Sequence, residues 1–131
     1  MEELALVCLI SHPEIDPDSV TNKLGLEPYL SQKKGQNVTT PDGRVTGSKY
    51  EMNKWGYKTE LAARNDLGKR VEELIDHLYE SRAFVRKVSE DGGRVSVFLN
   101  VPKPSSLALM MTPEALSKIG EMRIRFGFEI F

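Results

Sequence analysis

The sequence predicts an α+β fold: one domain over residues 1–131, with a mostly antiparallel sheet, one long helix and two short ones. The first of three observations is an apolar run near the N-terminus, typical of a buried central strand. The second is a segment whose apolar residues recur at helical spacing over three turns. The third is a pair of segments that alternate apolar and polar residues, as half-buried strands do. Helices and strands mix without strict alternation, which favours an α+β sandwich and leaves a relation to ferredoxin-like folds open.

The composition excludes several classes of protein. The chain has 131 residues, with 18 Lys and Arg against 19 Asp and Glu, so its formal charge is −1. With 40% hydrophobic residues and a single cysteine, it is neither disordered nor stapled by disulfides. No secretion signal pattern and no apolar stretch of roughly 18 residues is present. We therefore expect a cytoplasmic protein without a membrane segment, in which Cys8 is a buried, inert thiol.

The first third of the chain predicts a strand, a helix and a loop. Residues 4–10 are apolar at every position and predict a central strand covered on both faces. Asp16-Pro17 is typical of a helix start, and Gly25 of its end, with Val20 and Leu24 facing inward. Residues 26–44 are mostly loop, closed by a Pro-Asp-Gly turn.

The middle of the chain predicts strands on either side of the long helix. Residues 45–59 predict one long strand or an uneven hairpin, with the aromatic residues of its second half on one face. The long helix starts near Asn65-Asp66 and ends near Arg82. Its apolar stripe comprises Leu67, Val71, Leu74, Ile75 and Leu78. Residues 84–89 and 94–101 predict two strands joined by a hairpin turn at residues 90–93.

The C-terminal segment predicts a brief helix and a last strand. The helix opens at Thr112-Pro113, with Leu116 and Ile119 inward. The strand, residues 123–131, alternates apolar and charged residues. Residues 107–111, which end in two methionines, predict an edge strand or a loop over the core, and alternatively a partner-binding surface.

Two stretches at opposite ends of the chain carry a family resemblance. The first contains Leu24-Gly25-Leu26-Glu27-Pro28 followed by Lys33-Lys34-Gly35, and the second contains Pro113-Glu114-Ala115-Leu116, Ile119-Gly120 and an alternating aromatic strand. With Trp55 between them, the sequence resembles the bacterial family catalogued as domain of unknown function 4279 over nearly its full length. The resemblance implies a small α+β domain with no assigned activity, and it carries over no catalytic residue.

Charge is segregated along the chain. Residues 1–30 hold one basic and six acidic residues, a net −5, whereas residues 31–59 hold six basic and two acidic residues, a net +4. Lysines interleaved with aromatic side chains are able to bind phosphates and stack bases. The candidate binding surface is Lys33, Lys34, Arg44, Lys49, Lys54, Trp55 and Lys58. The alternatives are that Trp55 packs on the sheet, and that the two charged segments attract each other within the fold.

The sequence contains no recognisable catalytic or metal motif. It lacks a nucleophile elbow, a phosphate loop, a dinucleotide fingerprint and a His-Glu-x-x-His segment. His77 follows Glu73 by one helical turn, which predicts an exposed ion pair. His12 lies in a turn near Asp16 and Asp18, whose spacing is explained by helix capping. We therefore expect no enzyme activity, no metal and no cofactor.

Three functional hypotheses follow. The first is a binding domain whose partner is another protein, as in toxin-immunity proteins, with charge steering the association. The second is a binder of an anionic small ligand or of nucleic acid through residues 31–59, with nucleic acid disfavoured by the near-neutral charge. The third is a homodimer in which a second copy covers residues 4–10 or the face of Phe126 and Phe128.

Overall fold

The computed structural model describes residues 3–61, 66–103 and 106–131. Over these ranges the chain forms seven strands and four helices. In chain order they are β1 (Ala5–His12), α1 (Pro17–Leu24), β2 (Leu30–Gln32), β3 (Asn37–Thr39), β4 (Val45–Lys49), β5 (Asn53–Glu60), α2 (Leu67–Tyr79), α3 (Arg82–Glu90), β6 (Arg94–Val101), α4 (Pro113–Glu121) and β7 (Arg125–Ile130). The α+β class is confirmed, with one short helix more than predicted.

Five strands form the main sheet, in the order β2-β5-β1-β6-β7. Neighbours are antiparallel except β6 and β7, which are parallel and connected through α4. The prediction of a mostly antiparallel sheet is therefore confirmed. Since β6 and β7 lie side by side, this β-α-β unit is not the split unit of a ferredoxin-like sheet.

Strand β1 is central, as predicted, and divides its side chains between two different environments. Leu6, Cys8 and Ile10 belong to the apolar core, in which the helices also take part. The side chains between them point to the opposite face of the sheet. There Val7 is still only 1% exposed, because it lies between the longer side chains of Lys58 and Phe98 on the neighbouring strands.

The helices pack on one face of the sheet and build the core there. Asp16 caps α1 by accepting from the Asp18 N–H, and Gly25 ends it in a left-handed conformation, as predicted. The five residues of the predicted stripe on α2 are all buried. The predicted start of this helix at Asn65 lies outside the described residues. Burying each such Leu, Ile or Val side chain contributes about 1.5–3 kcal/mol.

The predicted strand over residues 84–89 is wrong, because these residues belong to α3. Val85 and Val88 are fully buried at a spacing of three, which matches a helical turn. The glycine pair that suggested a hairpin instead ends this helix. Gly92 has a φ of 91°, and the Gly93 N–H donates to Val88 O at 2.8 Å.

The C-terminal segment differs from its prediction in the buried face of α4 and matches one of the two predicted alternatives in the segment before it. In α4 it is Ala115 and Ile119 that are buried, whereas Leu116 is 54% exposed. The apolar residues before α4 form no strand: Leu107, Leu109 and Met111 pack against the core from a loop. The loop interpretation of this segment is thus confirmed.

Residues 45–59 form two strands that belong to different sheets. Strand β5 lies in the main sheet, and β4 pairs with β3 in a separate two-stranded hairpin. Every residue of β4 is exposed. The predicted loop over residues 26–44 contains β2 and β3, each three residues long.

Candidate functional site

Trp55, the aromatic residue of the predicted binding surface, lies in the core. It is 1% exposed, and its indole Nε1 donates to Thr21 Oγ1 at 2.9 Å. That bond satisfies the one polar group of the indole ring. Trp55 therefore packs on the sheet beneath α1 and presents no face to a ligand.

Three of the predicted basic residues are paired with carboxylates. Lys33 Nζ lies 3.6 Å from both Asp16 and Asp18, and Lys34 Nζ lies 3.7 Å from Glu14. Arg44 Nε lies 2.9 Å from Asp42. These pairs are solvent-exposed, so each contributes little to stability. The lysine pairs nevertheless bring residues of the acidic segment 1–30 and of the basic segment 31–59 together, as the alternative interpretation of the charged segments expects.

The remaining predicted lysines lie in two separate places. Lys49 is exposed on the β3–β4 hairpin. Lys54 and Lys58 are two alternate positions of β5, on the face of the main sheet opposite the helices. We call this face the open face. Its β1 positions are occupied by odd-numbered residues and its β5 and β6 positions by even-numbered residues.

Strand register brings Lys54 into a row with residues far away in sequence. Lys54 is directly opposite Ser11 on β1, and Ser11 is directly opposite Arg94 on β6. Opposed residues of a sheet point to the same face, and strands are about 4.8 Å apart, so the Cα atoms of Lys54 and Arg94 lie on either side of Ser11, about 10 Å from each other. The next row contains Ser96 and, beside it on β7, Arg125.

This basic end of the open face is a groove. Its volume is about 330 Å³, and its lining includes Leu9, Ser11, Leu30, Gln32, Lys54, Arg94 and Ser96. Among the residues that the structure describes, neither Lys54 nor Arg94 lies within 4.0 Å of a carboxylate. The groove thus combines two unpaired cations with hydroxyl and amide donors and with apolar side chains.

The groove is bounded by Tyr29, which lies over Gly56. A Cβ at position 56 would lie 2.8 Å from both Leu9 Cδ2 and Tyr29 Cε1, so only glycine lets these side chains approach the strand here. The Tyr29 N–H donates to Gly56 O at 2.8 Å. Burial, and secondarily the negative charge of Glu129, raise the pKa of the Tyr29 hydroxyl. A tyrosine phenol is protonated at neutral pH even at its ordinary pKa of about 10, so Tyr29 is a hydrogen-bond donor there.

The opposite end of the open face is acidic. Glu60 on β5 and Glu129 on β7 lie in the row that contains Ala5, six residues along β1 from Ser11. At about 3.4 Å per residue, the two ends are about 20 Å apart. The face therefore has Lys54 and Arg94 at the groove end and two glutamates at the other end, with Lys58 in the row next to Glu60.

Sequence reasoning missed Arg94 and Arg125 because they lie outside the basic segment. Their alternation with Ser96, Phe98 and Gly127 along two strands places them on one face. The strand order then decides which other face residues they meet. A sequence pattern shows which residues of a strand share a face, but it does not show which strands are neighbours.

The residues considered for catalysis or metal binding lie apart from the groove. Cys8 is buried in the core, and burial raises the pKa of its thiol to about 12. His12 Nδ1 accepts from the Glu14 and Ile15 N–H groups, both at 2.9 Å. Over residues 3–61, 66–103 and 106–131, no three His, Cys, Asp or Glu side chains are close enough together to hold a metal ion.

His77 does not form the predicted ion pair with Glu73. Its Nε2 donates to Leu24 O at 2.6 Å, while Glu73 lies 3.8 Å from Arg70. The carbonyl that His77 binds is one that the end of α1 leaves without a helical partner. His77 therefore connects α2 to the C-terminus of α1.

The fold and the groove define a class of protein: an α+β domain with helices on one face of a five-stranded sheet and a groove that contains two basic residues on the other. None of its described helices is long and apolar enough to cross a membrane. The chain belongs to the family Domain of unknown function (DUF4279), whose model matches residues 5–130. No curated protein and no solved structure matches the chain.

Proposed function

We propose that this protein is a non-enzymatic binding domain that holds a small anionic ligand in the groove of its open face. The observation that carries the proposal is the row Lys54–Ser11–Arg94, in which two cations flank a hydroxyl without a carboxylate partner among the described residues. Both cations line the same groove, so both are available to an anion bound there. We also propose that the protein is bacterial and that it acts in the cytoplasm.

The donor set suits a carboxylate or a phosphate. The Arg94 guanidinium offers two parallel N–H donors to such a group, and Lys54 adds a mobile point charge. The Ser11 hydroxyl lies between them, Ser96 is two residues from Arg94 on β6, and Gln32 adds an amide beside Lys54 on β2. An anionic group between the two cations would therefore receive charge-assisted hydrogen bonds from both sides.

The rest of the groove suits an apolar portion of the same ligand. Leu9 and Leu30 contribute apolar surface beside the cations, and the Tyr29 ring lies over Gly56 next to them. The volume of about 330 Å³ is at the lower end of the range for small-molecule sites. The groove is thus large enough for a small aromatic or aliphatic anion.

Phenyl phosphate and inorganic phosphate are the probes that test this proposal. Both should shift backbone amide resonances of β1, β5 and β6 in an NMR titration, and phenyl phosphate should bind more tightly because it also contacts Leu9 and Leu30. Hydrogen bonds to charged groups contribute about 1.5–3 kcal/mol. The variants Lys54→Gln and Arg94→Gln should therefore each raise the Kd about tenfold or more.

Lys49→Gln is the matched control, because it removes the same charge from the exposed hairpin. Its Kd should equal that of the wild type. The proposal is contradicted if no amide resonance shifts at a probe concentration of about 10 mM, which is well above the millimolar Kd of a weak complex. An equal loss of affinity in all three variants would also contradict it, since that result would indicate a general effect of charge.

A second candidate function is the binding of another protein through the β3–β4 hairpin. Every residue of β4 is exposed, including the 62%-exposed Val45. An isolated two-stranded hairpin is marginally stable in water, so a surface that covers it would stabilise it. The hairpin also carries Arg44 and Lys49, two of the predicted site residues.

A shortened chain tests the second candidate. Gln36 and Tyr50 are paired at the base of the hairpin, where the Tyr50 N–H donates to Gln36 O at 3.0 Å. Replacing residues 37–49 by a two-residue Asn-Gly turn should therefore leave the domain folded. A partner identified by mass spectrometry and purified should bind the full chain and fail to bind the shortened one. Equal binding to both chains would refute the role of the hairpin.

A further inference from the structure

The search for further sites leads to β7, the edge of the main sheet farther from the groove. In the part of the chain that the structure describes, no strand pairs with its outer edge. Phe128 is 50% exposed and Ile130 is 61% exposed on this strand. The opposite edge strand, β2, has only three residues, which is a common way to blunt an edge. A six-residue edge strand with exposed apolar side chains has no such protection.

The outer edge of β7 presents backbone N–H and C=O groups with which a further strand could pair. The Phe131 N–H donates to Val101 O at 3.1 Å, and Phe131 O accepts from the Lys103 N–H at 2.6 Å, so both backbone groups of Phe131 face β6. Successive residues of a strand direct these groups to opposite edges. The N–H and C=O groups of Phe126, Phe128 and Ile130 therefore point to the outer edge.

The side chains of β7 are complementary to a second β7 in antiparallel orientation. If Gly127 of one copy is opposite Gly127 of the other, Arg125 is opposite Glu129, and Glu129 is opposite Arg125. These side chains share the open face, because each is an even number of residues from the others. On the other face, Phe126 of one copy is opposite Phe128 of the second copy. Apart from the central glycines, the direct pairs between residues 125 and 129 thus join opposite charges or two aromatic rings.

The same register also uses the outward backbone groups. Phe126 and Phe128 of the two copies would form two hydrogen-bonded pairs, which together exchange four backbone hydrogen bonds. A shift of two residues would instead place Arg125 opposite Gly127 or Phe131, and both ion pairs would be lost. The charges therefore select one register.

We infer that this protein forms a homodimer in which the β7 strands pair antiparallel about Gly127 and the two sheets become one ten-stranded sheet. A second copy fits this edge because its charges and rings complement themselves under a two-fold rotation, as an isologous interface requires. The interface lies outside the anion groove: Arg125 and Glu129 are not part of the groove lining. The inference therefore goes beyond the proposed ligand and does not depend on it.

Charge reversal tests the register directly. The mass is measured by light scattering after gel filtration at about 100 µM, because association depends on concentration. The wild type should have twice the 14.8 kDa mass of one chain. Arg125→Glu and Glu129→Arg should each raise the dimer Kd at least tenfold, since each places like charges opposite one another at two positions. The double variant R125E/E129R should dimerise like the wild type.

Mixing the two single variants separates pairing from misfolding. One chain then carries two glutamates and the other two arginines at these positions, so the mixture should form a heterodimer. Lys69→Glu, the same charge reversal on the exposed start of α2, should leave the mass unchanged. A monomeric wild type, single variants that dimerise as tightly as the wild type, or a mixture that stays monomeric would each overturn the inference.

Discussion

Replacing Thr21 by valine should destabilise the protein by removing the hydroxyl that accepts the hydrogen bond of the Trp55 indole. Trp55 Nε1 donates to Thr21 Oγ1 at 2.9 Å from a site that is 1% exposed, so no water would replace the hydroxyl. A buried donor left without a partner costs about 1–3 kcal/mol. Valine has nearly the shape and helix propensity of threonine, so the variant creates no cavity. The expected loss in free energy of unfolding is therefore about 1–3 kcal/mol.

Urea unfolding followed by Trp55 fluorescence measures this loss. With a slope of about 2 kcal/mol per molar urea, the midpoint should fall by roughly 0.5–1.5 M while the slope stays unchanged. Thr21→Ser is the control, because serine keeps the hydroxyl, and its midpoint should lie close to that of the wild type. A Thr21→Val midpoint equal to the wild type would refute the reasoning, as would a serine variant as unstable as the valine variant.

Three further predictions concern Cys8 and two glycines. Burial raises the pKa of Cys8 from 9.0 to about 12, so above pH 9 the unfolded chain loses a proton that the folded chain keeps. The free energy of unfolding should then fall by up to about 1.4 kcal/mol per pH unit between pH 9 and pH 12, and Cys8→Ala should lack this component of the slope in urea titrations. Gly120→Ala should raise the thermal midpoint, because nothing lies within 4 Å of the added Cβ and alanine favours the helix by about 1 kcal/mol. Gly93→Ala should lower the midpoint, because its Cβ would lie 2.6 Å from Ser11 O; a higher midpoint would disprove this packing.

Patterns within short stretches of sequence predicted the elements whose formation depends mainly on residues close in the chain. The cap at Asp16, the end of α1 at Gly25 and the buried stripe of α2 all match the structure. These features follow from backbone conformation and helical period, which a short window of sequence contains. Strand β1 was predicted as central for the same kind of reason, since a continuous apolar run needs burial on both faces.

The errors arose where two local patterns compete. In residues 84–89 the β-branched Val85 and Val88 suggested a strand, whereas their spacing of three fits a helix that packs on β6. The glycine pair after them suits either a hairpin turn or a helix end. In α4 the helical spacing left two apolar faces available, and packing buried Ala115 rather than Leu116. In each case tertiary contacts decided between alternatives that were locally similar in energy.

For the candidate site, too, some features follow from the sequence alone and others only from the tertiary structure. The sequence by itself determined which residues alternate along each strand, and therefore which side chains share a face with Lys54, Arg94 or Glu129. Only the tertiary structure decided that Lys33 and Lys34 are neutralised by Asp16, Asp18 and Glu14, and that Trp55 is buried. It also brought Lys54 and Arg94 to either side of Ser11. The physical reason is that side-chain direction follows from a local period of two residues, whereas strand order and register depend on contacts between residues that are far apart in the chain.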